Sequence, residues 1–161
     1  MFGHMFLGWL PKSAYGIVHE LTRHILKRPV VAICAISRTP DGKIVLVRRA
    51  DNGMWCLPGG TLEWGETLTV GLARELEEEA GITRHEVTRV LGAWSDPMRD
   101  ARFHAVTITV VADVDPPTKK PKNPLEILEV RAFAKAELPA KLSFGMEDML
   151  LAAEHEQTVL E

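Results

Sequence analysis

The chain of 161 residues is 46% hydrophobic and 25% charged, the composition of a globular domain that buries a core without disulfides or metals as staples. With 19 Lys and Arg against 22 Asp and Glu, its net charge is −3, so a basic surface for nucleic acid is not expected. The longest apolar run, residues 30–36, is much shorter than the roughly 20 residues that cross a bilayer, and no membrane-spanning segment is predicted.

Residues 1–28 are predicted to form an N-terminal extension that precedes one domain of residues 29–161. Apolar residues recur at three- and four-residue intervals over 11–27, which predicts an amphipathic helix that Pro29 ends. This helix either packs on the domain or serves as a dimer or membrane-surface element. We expect a homodimer and no membrane partner.

The domain is predicted to mix strands and helices. The predicted strands are 30–37, 43–48, 87–95, 103–114 and 128–133, and the predicted helices are 67–80 and 146–156. Residues 40–42 read as a hairpin turn, 58–60 as a Gly-rich loop, and 116–124 as an exposed loop rich in Lys and Pro. This order predicts an α+β fold, a mixed sheet covered by helices in an α/β/α sandwich.

The helix predicted over 67–80 carries three glutamates on one face. At about 100° per residue, Glu75, Glu78 and Glu79 fall within roughly 100° of arc, whereas Glu77 points away. Carboxylates gathered in this way raise one another's pKa unless a cation lies among them. Because oxygen ligands select hard cations, the pattern predicts a site for Mg²⁺ or Mn²⁺.

Neighbouring residues support this interpretation. A glycine in mid-helix, Gly71, is expected to leave room for a ligand on the same face. Arg74 lies four residues before Glu78 and is expected to orient it, and Glu66 is expected to favour the helix dipole. An apolar stripe is expected to fix the helix against the sheet: Leu72, Leu76 and Ala80.

Residues 60–82 match every specified position of the Nudix box: Gly, five residues, Glu, seven residues, Arg-Glu, an aliphatic, any residue, Glu-Glu, any residue, Gly, an aliphatic. The chain therefore resembles the Nudix hydrolases, which hydrolyse a nucleoside diphosphate linked to another moiety. The resemblance implies that Glu75, Glu78 and Glu79 ligate Mg²⁺ with the Gly59 carbonyl. It also implies that Glu66 and Arg74 brace the loop and helix, with Arg74 and Glu79 belonging to the catalytic machinery.

Pro97 lies 15 residues after Ile82, a spacing that resembles the ADP-ribose pyrophosphatase branch of the family. Residues 94–104 resemble that branch's loop, in which a second proline commonly occupies the place of Ala101. Arg99 and Arg102 are expected either to supply positive charge to a diphosphate or to form surface ion pairs instead. His104 is expected to hydrogen-bond or order the loop.

Three choices stay open in the sequence. Strand alternation points either Arg48 or Arg49 toward the site. A late acidic position that binds metal or acts as general base in relatives is matched by Glu126, with Glu129 as the alternative. Trp55 and Trp64 are also candidates for substrate contact. Each is expected either to stack on a base or sugar of the substrate or to pack in the core.

The favoured function is metal-dependent hydrolysis of ADP-ribose or related nucleoside diphosphate sugars to a nucleoside monophosphate and a sugar phosphate. A nucleoside triphosphate pyrophosphohydrolase and a catalytically silent Nudix sensor are the alternatives. The expected partner is a small nucleotide rather than nucleic acid. Cys34 and Cys56 are expected to be buried free thiols in a reducing cytosol, so the protein is expected to be cytoplasmic.

Overall fold

A mixed sheet of eight strands forms the scaffold of the computed structural model, which describes residues 28–117 and 120–161. The strands are β1 (Val30–Arg38), β2 (Ile44–Arg49), β3 (Trp55–Cys56), β4 (Gly59–Thr61), β5 (His85–Trp94), β6 (Ala105–Val114), β7 (Ile127–Phe133) and β8 (Val159–Leu160). The helices are α1 (Leu68–Ala80) and α2 (Glu147–Glu154), with short 3-10 turns at Lys135–Glu137 and Ser143–Gly145. The predicted helix over 11–27 lies outside the described residues.

Strand β1 organises the sheet because three strands pair with it. It runs parallel to β6 along its whole length. On its other edge it pairs antiparallel with β4 at Ala32–Cys34 and with β2 at Ser37–Arg38. Strand β2 then diverges and pairs with β7, while β5 joins β6. This branching places Gly59 and Gly60 beside the first half of β1, next to α1.

The longer predicted elements are confirmed, with ends that differ by one or two residues. Three short strands, β3, β4 and β8, were not predicted. The expected loop at residues 58–60 is wrong in part, because Gly59–Thr61 forms β4 and pairs with β1. Its register with β1 is set by backbone pairing, which a pattern of apolar side chains does not reveal.

Helix α1 begins and ends as its sequence predicts. The Thr67 hydroxyl accepts the N–H of Val70 at 3.3 Å, and Gly81 follows the last turn in the left-handed conformation with φ of 65°. Leu72, Leu76 and Ala80 are fully buried, which confirms the apolar stripe. The packed stripe fixes the rotation of the helix and therefore the direction of its glutamates.

Helix α2 packs against strands β1 and β6 through Met149. Its sulfur lies 3.2 Å from the Thr109 hydroxyl and 3.8 Å from the Cys34 thiol. Cys34 and Cys56 are both free and buried, as predicted, and burial raises the pKa of Cys34 to about 12. In the described part of the chain, none of the helices has the length and apolar character needed to cross a bilayer.

Candidate active site

Four carboxylates line a cleft, which we call the acidic cleft, between α1 and the segment before β7. Helix α1 contributes three of them, which are Glu75, Glu78 and Glu79, and the fourth is Glu126. As they stand, no three His, Cys, Asp or Glu side chains in the described residues are gathered tightly enough to hold one metal ion. Two of the four, Glu75 and Glu79, are held by hydrogen bonds with Arg74 and with the Gly59 N–H.

Glu79 is the most buried carboxylate of the acidic cleft, with 6% of its surface exposed. Burial raises its pKa to about 8, and the neighbouring charges of Glu75 and Glu126 act in the same direction. The N–H of Gly59 donates to Glu79 Oε2 at 2.9 Å and opposes this shift. One backbone donor does not offset the loss of water, so a cation placed here would stabilise the charged form.

Gly59 and Gly60 let β4 pass between β1 and α1. Gly59 has φ of 153°, and a Cβ at this position would overlap the Ile33 carbonyl and Cys34. A Cβ on Gly60 would overlap the Glu75 carboxylate. The backbone of β4 therefore lies directly against two of the glutamates.

Arg74 braces the loop against α1, as the resemblance implies. Its Nε and Nη2 donate to the two oxygens of Glu66 at 2.8 and 2.9 Å, and its Nη1 donates to Glu75 at 2.8 Å. This pairing holds the pKa of Glu66 near 2. The predicted contact with Glu78 is longer, at 3.6 Å.

Two expectations about α1 are wrong. Glu66 precedes the N-cap, Thr67, and its carboxylate binds Arg74 and the N–H of Glu63 rather than the helix end. Gly71 does not leave room for a ligand, because a Cβ there would overlap the Leu62 side chain. The missing side chain instead admits Leu62 to the packing beneath the loop.

A second cavity, which we call the pocket, is lined by Gly59 and Gly60, whose backbone lies against Glu79 and Glu75 of the acidic cleft. Its apolar lining includes Ile33, Trp94, Phe103, Phe144, Met146 and Met149. Its charged lining comprises Arg49, Asp96, Arg99, Asp100 and Arg102. The two glycines thus form a shared border between a carboxylate-rich cleft and a cavity with aromatic and guanidinium groups.

The structure decides the orientation of the two arginines at the end of β2. Arg49 is 9% exposed and lines the pocket. Arg48 lies on the other face, where its Nε is 3.4 Å from Glu129 and its guanidinium is 6.0 Å from the Trp55 ring. Of the two late acidic candidates, the structure therefore places Glu126 in the acidic cleft and Glu129 away from it.

The tryptophans beside the Gly-rich strand have different surroundings. Trp55 packs edge-on against Phe133 with ring centres 4.8 Å apart, which is the core-packing alternative. Trp64 is fully exposed in the turn before α1. Neither of the two lines the pocket.

Arg102 enters the pocket wall paired with carboxylates. Its Nε and Nη2 donate to Asp100 at 2.9 and 2.7 Å, and its Nη1 donates to Asp51 at 3.3 Å. Asp51 also accepts two bonds from Arg49, at 2.9 and 2.7 Å. The Phe144 ring centre lies 5.1 Å from both guanidiniums, so the ring makes a cation–π contact with each arginine.

The remaining residues of the predicted substrate loop occupy different places. The Arg99 guanidinium lies at the pocket wall and is bound by Glu161 and by backbone carbonyls. Pro97 is exposed and does not line the pocket. His104 Nε2 lies 2.8 Å from the Ser95 carbonyl, a contact that orders the loop as expected.

Sequence reasoning missed several residues in and around these cavities. Asp51 is two residues from Arg49, but only the fold brings it to Arg102, and only the fold brings Phe144 to both arginines. The backbone N–H of Lys122 donates to the backbone carbonyl of Glu78 at 2.8 Å, and Lys122 lines the acidic cleft. The Lys- and Pro-rich composition around Lys122 marked a loop, but nothing in that composition indicated a contact with α1.

Comparison with known proteins identifies the class to which this fold and site belong. The family model of the NUDIX domain matches residues 27–153. The chain belongs to the Nudix family, which confirms the resemblance and the predicted mixed-sheet fold.

Among relatives, an ADP-ribose pyrophosphatase of Methanocaldococcus jannaschii is 40% identical over 89 residues, which cover 53% of this chain and 52% of that protein. A MutT-like protein of Streptomyces ambofaciens is 45% identical over 69 residues, covering 43% and 44%. The chain spans about half the length of the curated relatives it matches.

A solved structure of similar shape is the NUDIX domain of Shewanella oneidensis NrtR in complex with ADP ribose. It has a TM-score of 0.70 and 22% identity, with 91% of this chain and 99% of that chain covered. At this identity the match supports the fold and leaves the chemistry to the residues of the site.

Proposed function

We propose that the chain is a metal-dependent pyrophosphohydrolase that cleaves ADP-ribose or a related nucleoside diphosphate sugar into a nucleoside monophosphate and a sugar phosphate. The observation that carries the proposal is the shared border at Gly59 and Gly60. One side of this border offers carboxylates for metal, and the other offers an apolar pocket with arginines. A diphosphate that lies across the glycines reaches both sides.

The pocket suits the nucleoside half of such a substrate. Trp94, Phe103 and Phe144 provide apolar and aromatic surface for a base, and Arg49 and Arg102 provide cations beside it. The relation to an ADP-ribose pyrophosphatase supports a diphosphate substrate of this size.

The residues of the acidic cleft fit a divalent metal. Glu79 is buried beside Glu75 and Glu126, and hard oxygen donors of this kind select Mg²⁺ or Mn²⁺. We assign Glu75, Glu78 and Glu79 as the metal-holding carboxylates, with the Gly59 carbonyl as a backbone ligand by resemblance. When bound, the metal neutralises charge on the diphosphate and lowers the pKa of an attacking water.

The protein's own groups position these parts. Arg74 ties Glu66 to Glu75 and fixes the start of α1 against β4. The Gly59 N–H holds one oxygen of Glu79 in place. Glu126 lies across the cleft from α1, where it can accept a proton from water directly or through a second water.

A substrate screen tests the proposal. The protein is incubated with Mg²⁺ and ADP-ribose, GDP-mannose, UDP-glucose or 8-oxo-dGTP. Phosphatase converts the monophosphate products of the diphosphate sugars to inorganic phosphate, and inorganic pyrophosphatase reveals the product of the triphosphate. Preference for a diphosphate sugar, lost on addition of chelator, is the expected result.

The other outcomes separate the alternatives. Preference for 8-oxo-dGTP would replace the proposed substrate with a nucleoside triphosphate, the second candidate. Silence on all four substrates, together with measurable binding of ADP-ribose by calorimetry, would refute the enzyme and favour a sensor.

A further inference from the structure

The segment around β8 is fixed to the edge of β5 by close backbone contact. β8 pairs parallel with β5 at Gly92 and Ala93. A Cβ on Gly92 would overlap the Val159 carbonyl oxygen, so glycine provides the space for this approach. The N–H of Glu161 then donates to the Ala93 carbonyl at 3.0 Å. These contacts deliver Glu161 to the start of the loop that follows β5.

The Glu161 carboxylate collects several donors of this loop. Its Oε2 accepts the N–H groups of Ser95 and Asp96 at 2.9 and 2.8 Å. Arg99 donates to the same carboxylate through Nε at 3.0 Å and through Nη2 at 2.6 Å. The Ser95 hydroxyl adds a bond to the Glu161 carbonyl at 2.8 Å. One side chain therefore fixes both the backbone and an arginine of the loop.

Arg99 extends this arrangement to the opposite side of the pocket. Its Nη1 donates to the carbonyls of Phe144 and Gly145 at 3.3 and 3.0 Å, and its Nη2 lies 3.3 Å from Asp148. Phe144 has φ of 63°, a conformation that non-glycine residues seldom adopt. The bonds from Arg99 hold the backbone of this turn, and the turn places the aromatic ring at the pocket.

We propose that Glu161 is a positioning residue for substrate binding, which holds Arg99 and the loop of residues 95–102 in the form that builds the pocket. This inference rests on the proposed function, because it concerns the binding of the same substrate. Glu161 is not among the residues that line the pocket, whereas Asp96, Arg99 and Phe144 are. Its effect on substrate therefore passes through them.

This position predicts which kinetic constant changes. The acidic cleft has its own supports in Arg74 and Gly59, and neither contacts Glu161. Loss of the Glu161 charge loosens the pocket and leaves the cleft in place. We expect KM to rise while kcat stays close to that of the wild type.

The test compares Glu161→Gln and Glu161→Asp with a control, Glu154→Gln. Glu154 forms an exposed ion pair with Lys135 at 2.6 Å, away from the loop. KM and kcat are measured for ADP-ribose with Mg²⁺, and amide exchange at Ser95 and Asp96 is followed by NMR. For Glu161→Gln we expect a KM increase of about tenfold, because charge-assisted bonds are lost, and faster exchange at both amides. Glu161→Asp is expected to restore part of both, and Glu154→Gln to change neither.

The outcomes distinguish this inference from the proposed function. An active wild type whose Glu161→Gln variant keeps its KM and its slow exchange at Ser95 and Asp96 would overturn the inference alone. A loss confined to kcat would also overturn it, since the residue would then act on the chemical step. A wild type with no activity on any diphosphate sugar would refute the proposed function and the inference with it.

Discussion

The contact between Gly60 and Glu75 offers a direct test of the acidic cleft. In Gly60→Ala the new Cβ lies 2.6 Å from the Glu75 carboxyl carbon, whereas an ordinary contact begins at 3.4 Å. The carboxylate must therefore move by at least about 0.8 Å, the difference between these distances, because its Oε1 lies closer to the Cβ than the carboxyl carbon does. The backbone of Gly60 needs no special conformation, because its φ lies outside the left-handed region.

A displacement of this size has a larger effect on catalysis than on folding. Misplacing a catalytic group by about 1 Å costs up to 100-fold in rate, so we expect kcat/KM to fall about 10- to 100-fold, or roughly 1.4 to 2.7 kcal/mol. The free energy of unfolding should change by no more than about 1 kcal/mol. Loss of unfolded-chain entropy stabilises the alanine variant by about 0.4–1 kcal/mol and offsets the weakened Arg74–Glu75 bond.

The assay is a steady-state rate with ADP-ribose at increasing Mg²⁺, combined with urea unfolding of each variant. Gly71→Ala is the matched control, because the atoms nearest to its Cβ belong to Leu62 and Glu66 and not to a carboxylate of the acidic cleft. This control is expected to keep kcat/KM within about twofold, since overpacking there disturbs the packing beneath the loop rather than Glu75, Glu78 or Glu79. A folded Gly60→Ala protein with wild-type kcat/KM and metal dependence would refute the assignment of Glu75 to the metal site.

Three further predictions concern other parts of the site. Glu79→Gln keeps the bond from Gly59 but removes the charge, so kcat should fall at least about 100-fold with an unchanged melting temperature; near-normal turnover would contradict this. In steady-state kinetics with ADP-ribose, Arg49→Lys should raise KM, whereas Arg48→Lys on the opposite face should leave it unchanged; equal KM values for the two variants would contradict this. Arg99, which also faces Asp148, lowers the pKa of Glu161 from its unfolded value of 4.5 to about 2. The charged carboxylate therefore stabilises the fold fully at pH values above 4.5. The stability difference between wild type and Glu161→Gln should shrink as pH falls from 4.5 toward 2, and a constant difference in urea unfolding would refute it.

The sequence predicted the parts of the fold that depend on local patterns. The stripe of Leu72, Leu76 and Ala80 and the glycine that follows Ala80 are local signals, and they predicted α1 to within one residue at its start. Strands β3, β4 and β8 have two or three residues each and are held by pairing with distant strands. Such short segments carry no periodicity, which is why they escaped prediction.

The site divides in the same way. Glu75, Glu78 and Glu79 share one helix, so helical spacing alone brought them to one face. The choice between Arg48 and Arg49 stayed open because alternation gives two faces without saying which one holds the site. The contacts of Asp51 with Arg102, of Phe144 with Arg49 and of Glu161 with Arg99 join segments far apart in the chain, and only the folded structure reveals them.

The charge balance of the site explains why metal belongs in the proposal. Arg49, Arg74, Arg99 and Arg102 each form an ion pair, with Asp51, Glu66, Glu161 and Asp100 respectively. These pairs supply little uncompensated positive charge, and the acidic cleft adds negative charge on the other side of the glycines. The carboxylates of the cleft therefore repel a diphosphate that approaches this border. Binding requires further cations, besides these four arginines, between the diphosphate and the cleft. Divalent metal at Glu75, Glu78 and Glu79, as we propose, meets that requirement, and we therefore expect substrate binding as well as turnover to depend on it.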